Sequence, residues 1–158
     1  MIRRRRVLAL PAAFAVPVLL LDGCATGPPP PAVLTLTVHG GADQNPDPMG
    51  HPAPVAMRLY QLGATGRFNQ ADPFALIEHE KETLGTDVLG SEEFVIKPSA
   101  TQTITRTLQK GTQFVGIAVL FRDIDRAQWR ASAPVAASGP SNLVLTISGL
   151  KAVLGTSS

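Results

Sequence analysis

Cysteine is nearly missing from this chain: position 24 holds the only one among 158 residues. A single thiol excludes an intramolecular disulfide framework, so the fold must be held by packing and hydrogen bonds. Aromatic side chains make up 5% of the residues, with one tryptophan and one tyrosine. The three histidines, His39, His51 and His79, fall in unrelated segments without metal-ligand spacing, which leaves them surface or capping roles. No Gly-x-Ser-x-Gly elbow accompanies His39-Gly40-Gly41-Ala42, and glycine loops that cradle phosphate are absent. Asp43-Gln44-Asn45-Pro46-Asp47 begins like a calcium loop, but Pro48 stands where the glycine belongs and Pro54 where the bidentate glutamate belongs. Asp123 and Asp125 sit in a polar stretch beside Arg122 and Arg126, as solvent-facing carboxylates do. No catalytic residue, metal site or dissociable cofactor is expected, and the chain is not read as an enzyme.

An excess of one charge is also lacking once the N-terminus is set aside. Arg3, Arg4, Arg5 and Arg6 precede the apolar run Val7 to Leu21, which has the length of a secretory signal and is shorter than a membrane span. Residues 1–23 contain four of the 14 basic residues and one of the 12 acidic ones, leaving 135 residues with a net charge of −1. Such a body has no basic face for nucleic acid or for acidic lipid.

Leu21-Asp22-Gly23-Cys24 closes the apolar run, and it resembles the lipobox of bacterial lipoproteins. Asp22 departs from that pattern, which prefers a small uncharged residue there. The resemblance implies cleavage before Cys24 and a covalent lipid on its sulfur. Residues 24–32 then read as the lipidated cysteine and a tether, because Pro28 to Pro31 favour a polyproline II rod.

Residues 33–158 read as one domain. Val33 to His39 alternates, with Leu34, Leu36 and Val38 on one face, as a half-buried strand does. Gly40 to Ala53 follows as a long break whose glycines and prolines forbid ladder pairing, so it is expected to be either mobile or used for binding. Val55 to Leu62 is a second strand and Gly63 to Arg67 a turn. Asp72-Pro73 predicts a helix start, with one helix packing through Phe74 and Ile77 and ending at Gly85. Further strands are expected at Phe94 to Lys97, Thr101 to Leu108, Phe114 to Phe121, Gln128 to Ala131 and, last, Leu143 to Ile147. Phe114 to Phe121 is unbroken in apolarity and requires cover on both faces. About seven strands and one helix without strand–helix alternation point to an all-β, two-layer antiparallel β-sandwich with a short helical insertion.

Read in order, several segments resemble the type VI secretion lipoprotein family, TssJ. They are Cys24, Asn45-Pro46-Asp47, Pro54-Val55 leading into Arg58-Leu59-Tyr60-Gln61-Leu62, and Phe68 ahead of Ala71-Asp72-Pro73-Phe74 and Leu76. Phe94, Pro98, Phe121-Arg122 and Trp129-Arg130 complete the set. The resemblance implies a transthyretin-like sandwich, anchored in the outer membrane by lipid on Cys24 and facing the periplasm. It implies binding to the periplasmic part of the inner-membrane protein TssM, and through it to TssL. The family's contact loop falls here on Asp43, Gln44, Asn45, Pro46, Asp47, Pro48, Met49, Gly50 and His51. Ala25 is not the aspartate that retains lipoproteins in the inner membrane. Tyr60 and Trp129-Arg130 suit packing better than contact. A competing class is a periplasmic lipoprotein carrier for a small or lipid-like ligand, which needs a cavity between sheets; small and β-branched residues are expected to fill that space.

Overall fold

The computed structural model describes residues 27–157; the signal segment and Cys24 lie outside the described residues. Strand β1 (Ala32–Gly40) begins where the prolines end, and β2 (Val55–Leu62) follows the long connection. Three short helices come next, α1 (Gly66–Gln70), α2 (Pro73–Glu78) and α3 (Glu80–Leu84). Strands β3 (Val88–Ile96), β4 (Thr101–Thr107), β5 (Phe114–Val119), β6 (Arg130–Pro134), β7 (Gly139–Ser148) and β8 (Lys151–Thr156) complete the order. They form two four-stranded sheets, β4-β1-β7-β8 and β3-β2-β5-β6.

The sandwich is as expected, with corrections at its edges. Eight strands are present among the described residues, because β8 follows a tight turn at Gly149 (φ 54°) and pairs with β7. β3 starts at Val88 and not at Phe94; its polar stretch Ser91-Glu92-Glu93 is tolerated on an exposed edge. β6 lies two residues later than the Gln128 start, with Trp129 flanking it. The sheets are not wholly antiparallel, since β1 pairs in parallel with β7, Leu36 opposite Leu143.

Leu34, Leu36, Met57, Leu59, Ile117 and Leu145 meet between the sheets and are fully or almost fully buried. The expected filling by small and β-branched residues holds in part: Val38, Val55, Ile104, Val115, Val119 and Ile147 share the space with the leucines and Met57. A second cluster, Tyr60, Leu62, Phe68, Leu76, Leu84 and Ala118, lies on the outer face of the second sheet beneath the helices. Phe114 to Val119 is thus covered on both faces.

The helical layer differs from the single expected helix. Asp72 caps α2 as predicted, its Oδ1 accepting from the amides of Phe74 (2.9 Å) and Ala75 (3.2 Å). The backbone then breaks at His79 (φ −130°, ψ 42°), which resets the helical phase. Leu76 and Leu84 consequently point inward, while Phe74 is 57% exposed. The Gly63–Arg67 turn runs into α1, whose Phe68 ring packs on Tyr60 at 5.5 Å between centroids. Arg130 secures this layer by donating from Nη1 to the carbonyls of Phe68 and Ala71, both at 2.8 Å, while its guanidinium stacks on Trp129 at 4.5 Å. On the same sheet face, Arg58 reaches Glu80 and Glu93, each at 3.2 Å. Burial raises the Tyr60 phenol above its ordinary range, the Arg58 guanidinium pulling the other way.

Gly116 makes this packing possible. A Cβ there would sit 2.9 Å from both Leu62 Cδ1 and Phe68 Cζ. Gly116→Ala is expected to cost about 1–3 kcal/mol through overpacking, measured as a lowered denaturation midpoint at unchanged slope.

β1 fixes the long axis. Its nine residues span about 30 Å at 3.3 Å per residue. The proline tether enters at one pole, and the β1–β2 connection leaves at the other.

Candidate functional site

The pole distal to the tether is built from the β1–β2 connection, the β3–β4 and β5–β6 loops and the β7–β8 turn. Gly40 and Gly41 let the chain pass close to its neighbours: their amides donate to the carbonyls of Ala100 (2.8 Å) and Ile147 (2.7 Å). At Gly41 a Cβ would lie 2.5 Å from the Ile147 carbonyl oxygen, so only glycine fits.

Gln44 and Asn45 are buried and hold the loop's base. Gln44 Nε2 donates to the carbonyls of Ile96 (2.8 Å) and Ala53 (3.2 Å). Asn45 ties three segments together: its amide donates to Gly149 O (2.8 Å), its Nδ2 donates to Pro54 O (2.9 Å), and its Oδ1 accepts from the Arg122 amide (2.8 Å). It does so at φ 47°, a left-handed conformation that asparagine tolerates better than most residues.

Beyond this base the chain makes a self-contained turn. Asp47 Oδ1 accepts from the amides of Met49 (2.8 Å) and His51 (2.9 Å), and the Asp47 amide donates to His51 O at 2.8 Å. Gly50 adopts φ 85° to close it. Pro48, Met49, Gly50, His51 and Pro52 are presented outward, with Met49 80% exposed. The nine loop residues singled out from the sequence therefore divide. Gln44 and Asn45 face the interior, Pro46 and Asp47 are half-buried, and Asp43 and Pro48 to His51 face solvent.

The His51 amide, followed by that of Met49, holds the Asp47 carboxyl below its ordinary range. A carboxyl depressed in the folded state stabilises the turn above its unfolded pKa and loses that effect as pH falls through the folded value. Amide exchange at Met49 and His51, corrected for intrinsic rates, is expected to accelerate below about pH 4, with Asp47→Asn already fast at neutral pH.

Other residues bound the loop. Ser148 Oγ donates to Asp43 Oδ2 at 3.2 Å, and Arg126 pairs with Asp123 at 3.3 Å. Arg126, Gln128 and Lys151 join Asp43 around a shallow notch of about 500 Å³. Sequence reasoning missed Lys151 here because it lies on β8. Of the histidines, His39 and His51 are exposed and His79 sits at the α2–α3 junction. Among the described residues no group of three or more His, Cys, Asp or Glu could hold a metal ion. A concavity of about 920 Å³ lies at the tether pole, walled by the tether and by the β4–β5 and β6–β7 loops.

Comparison with known proteins bears on the whole domain. Residues 32–149 match the family described as T6SS-SciN, the type VI secretion lipoprotein VasD, EvfM, TssJ, VC_A0113. The chain belongs to the type VI secretion lipoprotein family. The T6SS lipoprotein TssJ1 from Pseudomonas aeruginosa superposes with a TM-score of 0.78 at 32% identity, covering 82% of this chain and 98% of that one. Serratia marcescens Lip, described as a membrane-bound component of the type VI secretion system, gives 0.68 at 23% identity over 80% and 99%. A chain from a structure of the TssM C-terminal domain from EAEC gives 0.66 at 22% identity over 80% and 99%. No curated protein matches the sequence. The chain is thus a β-sandwich of the type VI secretion lipoprotein family.

Proposed function

We propose that this chain is an outer-membrane lipoprotein facing the periplasm, with a covalent lipid on Cys24. Its β1–β2 loop docks the periplasmic region of TssM and so joins the chain, through TssM, to TssL in the secretion membrane complex. The role is adhesive and not enzymatic. One observation carries the reading: tether and proline-braced loop emerge from opposite ends of β1, so a lipid anchor and a protein contact occupy opposite poles of one body. Similarity to the TssJ1 lipoprotein, and to a chain in a structure of TssM, supports the choice of partner. A loop held at its base by Gln44 and Asn45 loses little conformational freedom on docking, which favours binding.

The test uses the loop's outward tip. Met49→Glu removes an exposed apolar contact and adds a charge without touching the core. Capture of the TssM periplasmic region is expected to fall about tenfold or more at an unchanged melting temperature. Capture at the wild-type level would place the contact on another surface.

A further inference from the structure

The tether pole has features that the docking of TssM does not use. Its concavity of about 920 Å³ runs between Pro29 and Pro30 of the tether, Leu108 and Phe114 flanking the β4–β5 loop, and Val135 and Ala137 of the β6–β7 loop. Every lining residue comes from segments 27–42, 94–122 and 126–157, and none of these contains an aspartate or glutamate. The described carboxylates all lie at the distal pole, on the helical layer or on β3 with the turn leading into it. Lys110, exposed at the groove's lip, is its only charged lining residue. The groove is apolar-walled and open, and Lys110 gives it a single positive charge with no carboxylate among its lining residues; Asp87 lies at the same pole, its carbonyl accepting from the Gly63 amide.

Reach decides what can cover it. Cys24 precedes Pro29 by five residues, a length of chain that can reach about 16 Å. A headgroup layer is about 6 Å deep, so a lipid on Cys24 keeps Pro29 and the pole it enters within roughly 10 Å of the bilayer surface. We propose that the tether pole rests on the phospholipid bilayer in which Cys24 is anchored, with Lys110 toward the lipid phosphates and the groove walls over the headgroup and acyl boundary. The inference rests on the lipidation of Cys24 proposed above. It adds an orientation: the domain stands upright on its groove, and the β1–β2 loop points away from the membrane.

The absence of any thiol other than Cys24 makes the test direct. Full-length lipidated protein carrying either Ala137→Cys or Met49→Cys, both exposed positions at opposite poles, is labelled with a thiol-reactive fluorophore. Each is reconstituted into phosphatidylethanolamine and phosphatidylglycerol vesicles containing lipids with nitroxide headgroups. The Ala137 label is expected to be quenched severalfold more strongly than the Met49 label. Adding Lys110→Glu and Ser138→Glu, both exposed, is expected to bring the Ala137 signal down to the Met49 level while the protein still floats with the vesicles. Flotation with equal quenching at the two poles overturns the proposal alone, as does strong Ala137 quenching that ignores the charge reversal. Failure to float overturns the lipidation on which it rests. Strong Ala137 quenching at high protein density only, lost on dilution into more lipid, means that a second copy covers the groove and also overturns it.

Discussion

Asn45→Ala is expected to lower the unfolding free energy by about 2–4 kcal/mol and to abolish capture of TssM in the same step. Alanine leaves the Pro54 carbonyl and the Arg122 amide without the partners that the asparagine side chain supplies at 2.9 and 2.8 Å. Each such loss at a part-buried site costs about 1 kcal/mol or more, and alanine at φ 47° adds about 1 kcal/mol of backbone strain. The energetic effect spreads because Asn45 also binds the β7–β8 turn through its amide, so the released loop takes its neighbours' order with it. Equilibrium denaturation and amide exchange at Arg122 report the two parts separately. A stability change below about 0.5 kcal/mol would mean that the loop is held by something other than this side chain. The contrast with Met49→Glu is diagnostic, since that variant is expected to lose the partner and keep its stability.

Cys24→Ser is expected to move the protein from the membrane pellet to the soluble fraction almost completely. No helix among the described residues is long and apolar enough to cross a membrane. Buried acyl chains contribute about 0.8 kcal/mol per methylene, and two or more chains on one sulfur and its amine hold a protein for far longer than any contact of the tether pole can. The serine variant is expected to fold normally, with the same melting temperature. Intact mass of the membrane-extracted wild type, showing loss of residues 1–23 and addition of the acyl groups, checks the same point chemically. Unchanged fractionation of the serine variant would leave the retained signal segment as the anchor.

What was legible in the sequence is what local chemistry decides. Alternation marked β1 and β2 within a residue at either end, Asp72-Pro73 marked the start of α2, and Gly85 marked the end of α3. The continuous apolarity of Phe114 to Val119 correctly required cover on both faces. What was hidden depends on partners far away along the chain. The parallel pairing of β1 with β7 joins Ala32 to Gly139, and nothing in either strand's own pattern encodes its direction. The break at His79 turned Phe74 outward because a periodicity drawn through one helix fails when the helix is two. The loop shows the same limit most clearly. Its glycines and prolines announced irregular backbone, but whether it was mobile or fixed depended on Asn45 meeting an amide 77 residues later.

The central position of β1 also decides how the molecule answers a pull. Tension between Cys24 and a partner held at Met49 enters at Ala32 and leaves just beyond Gly40, so it travels along one covalent strand clamped laterally by β4 and β7. Nothing is peeled from an edge, and no sheet is unzipped. A pull along this axis loads the tether, β1 and the loop base in series, and β1 meets it in shear, held on both sides by its ladders to β4 and β7.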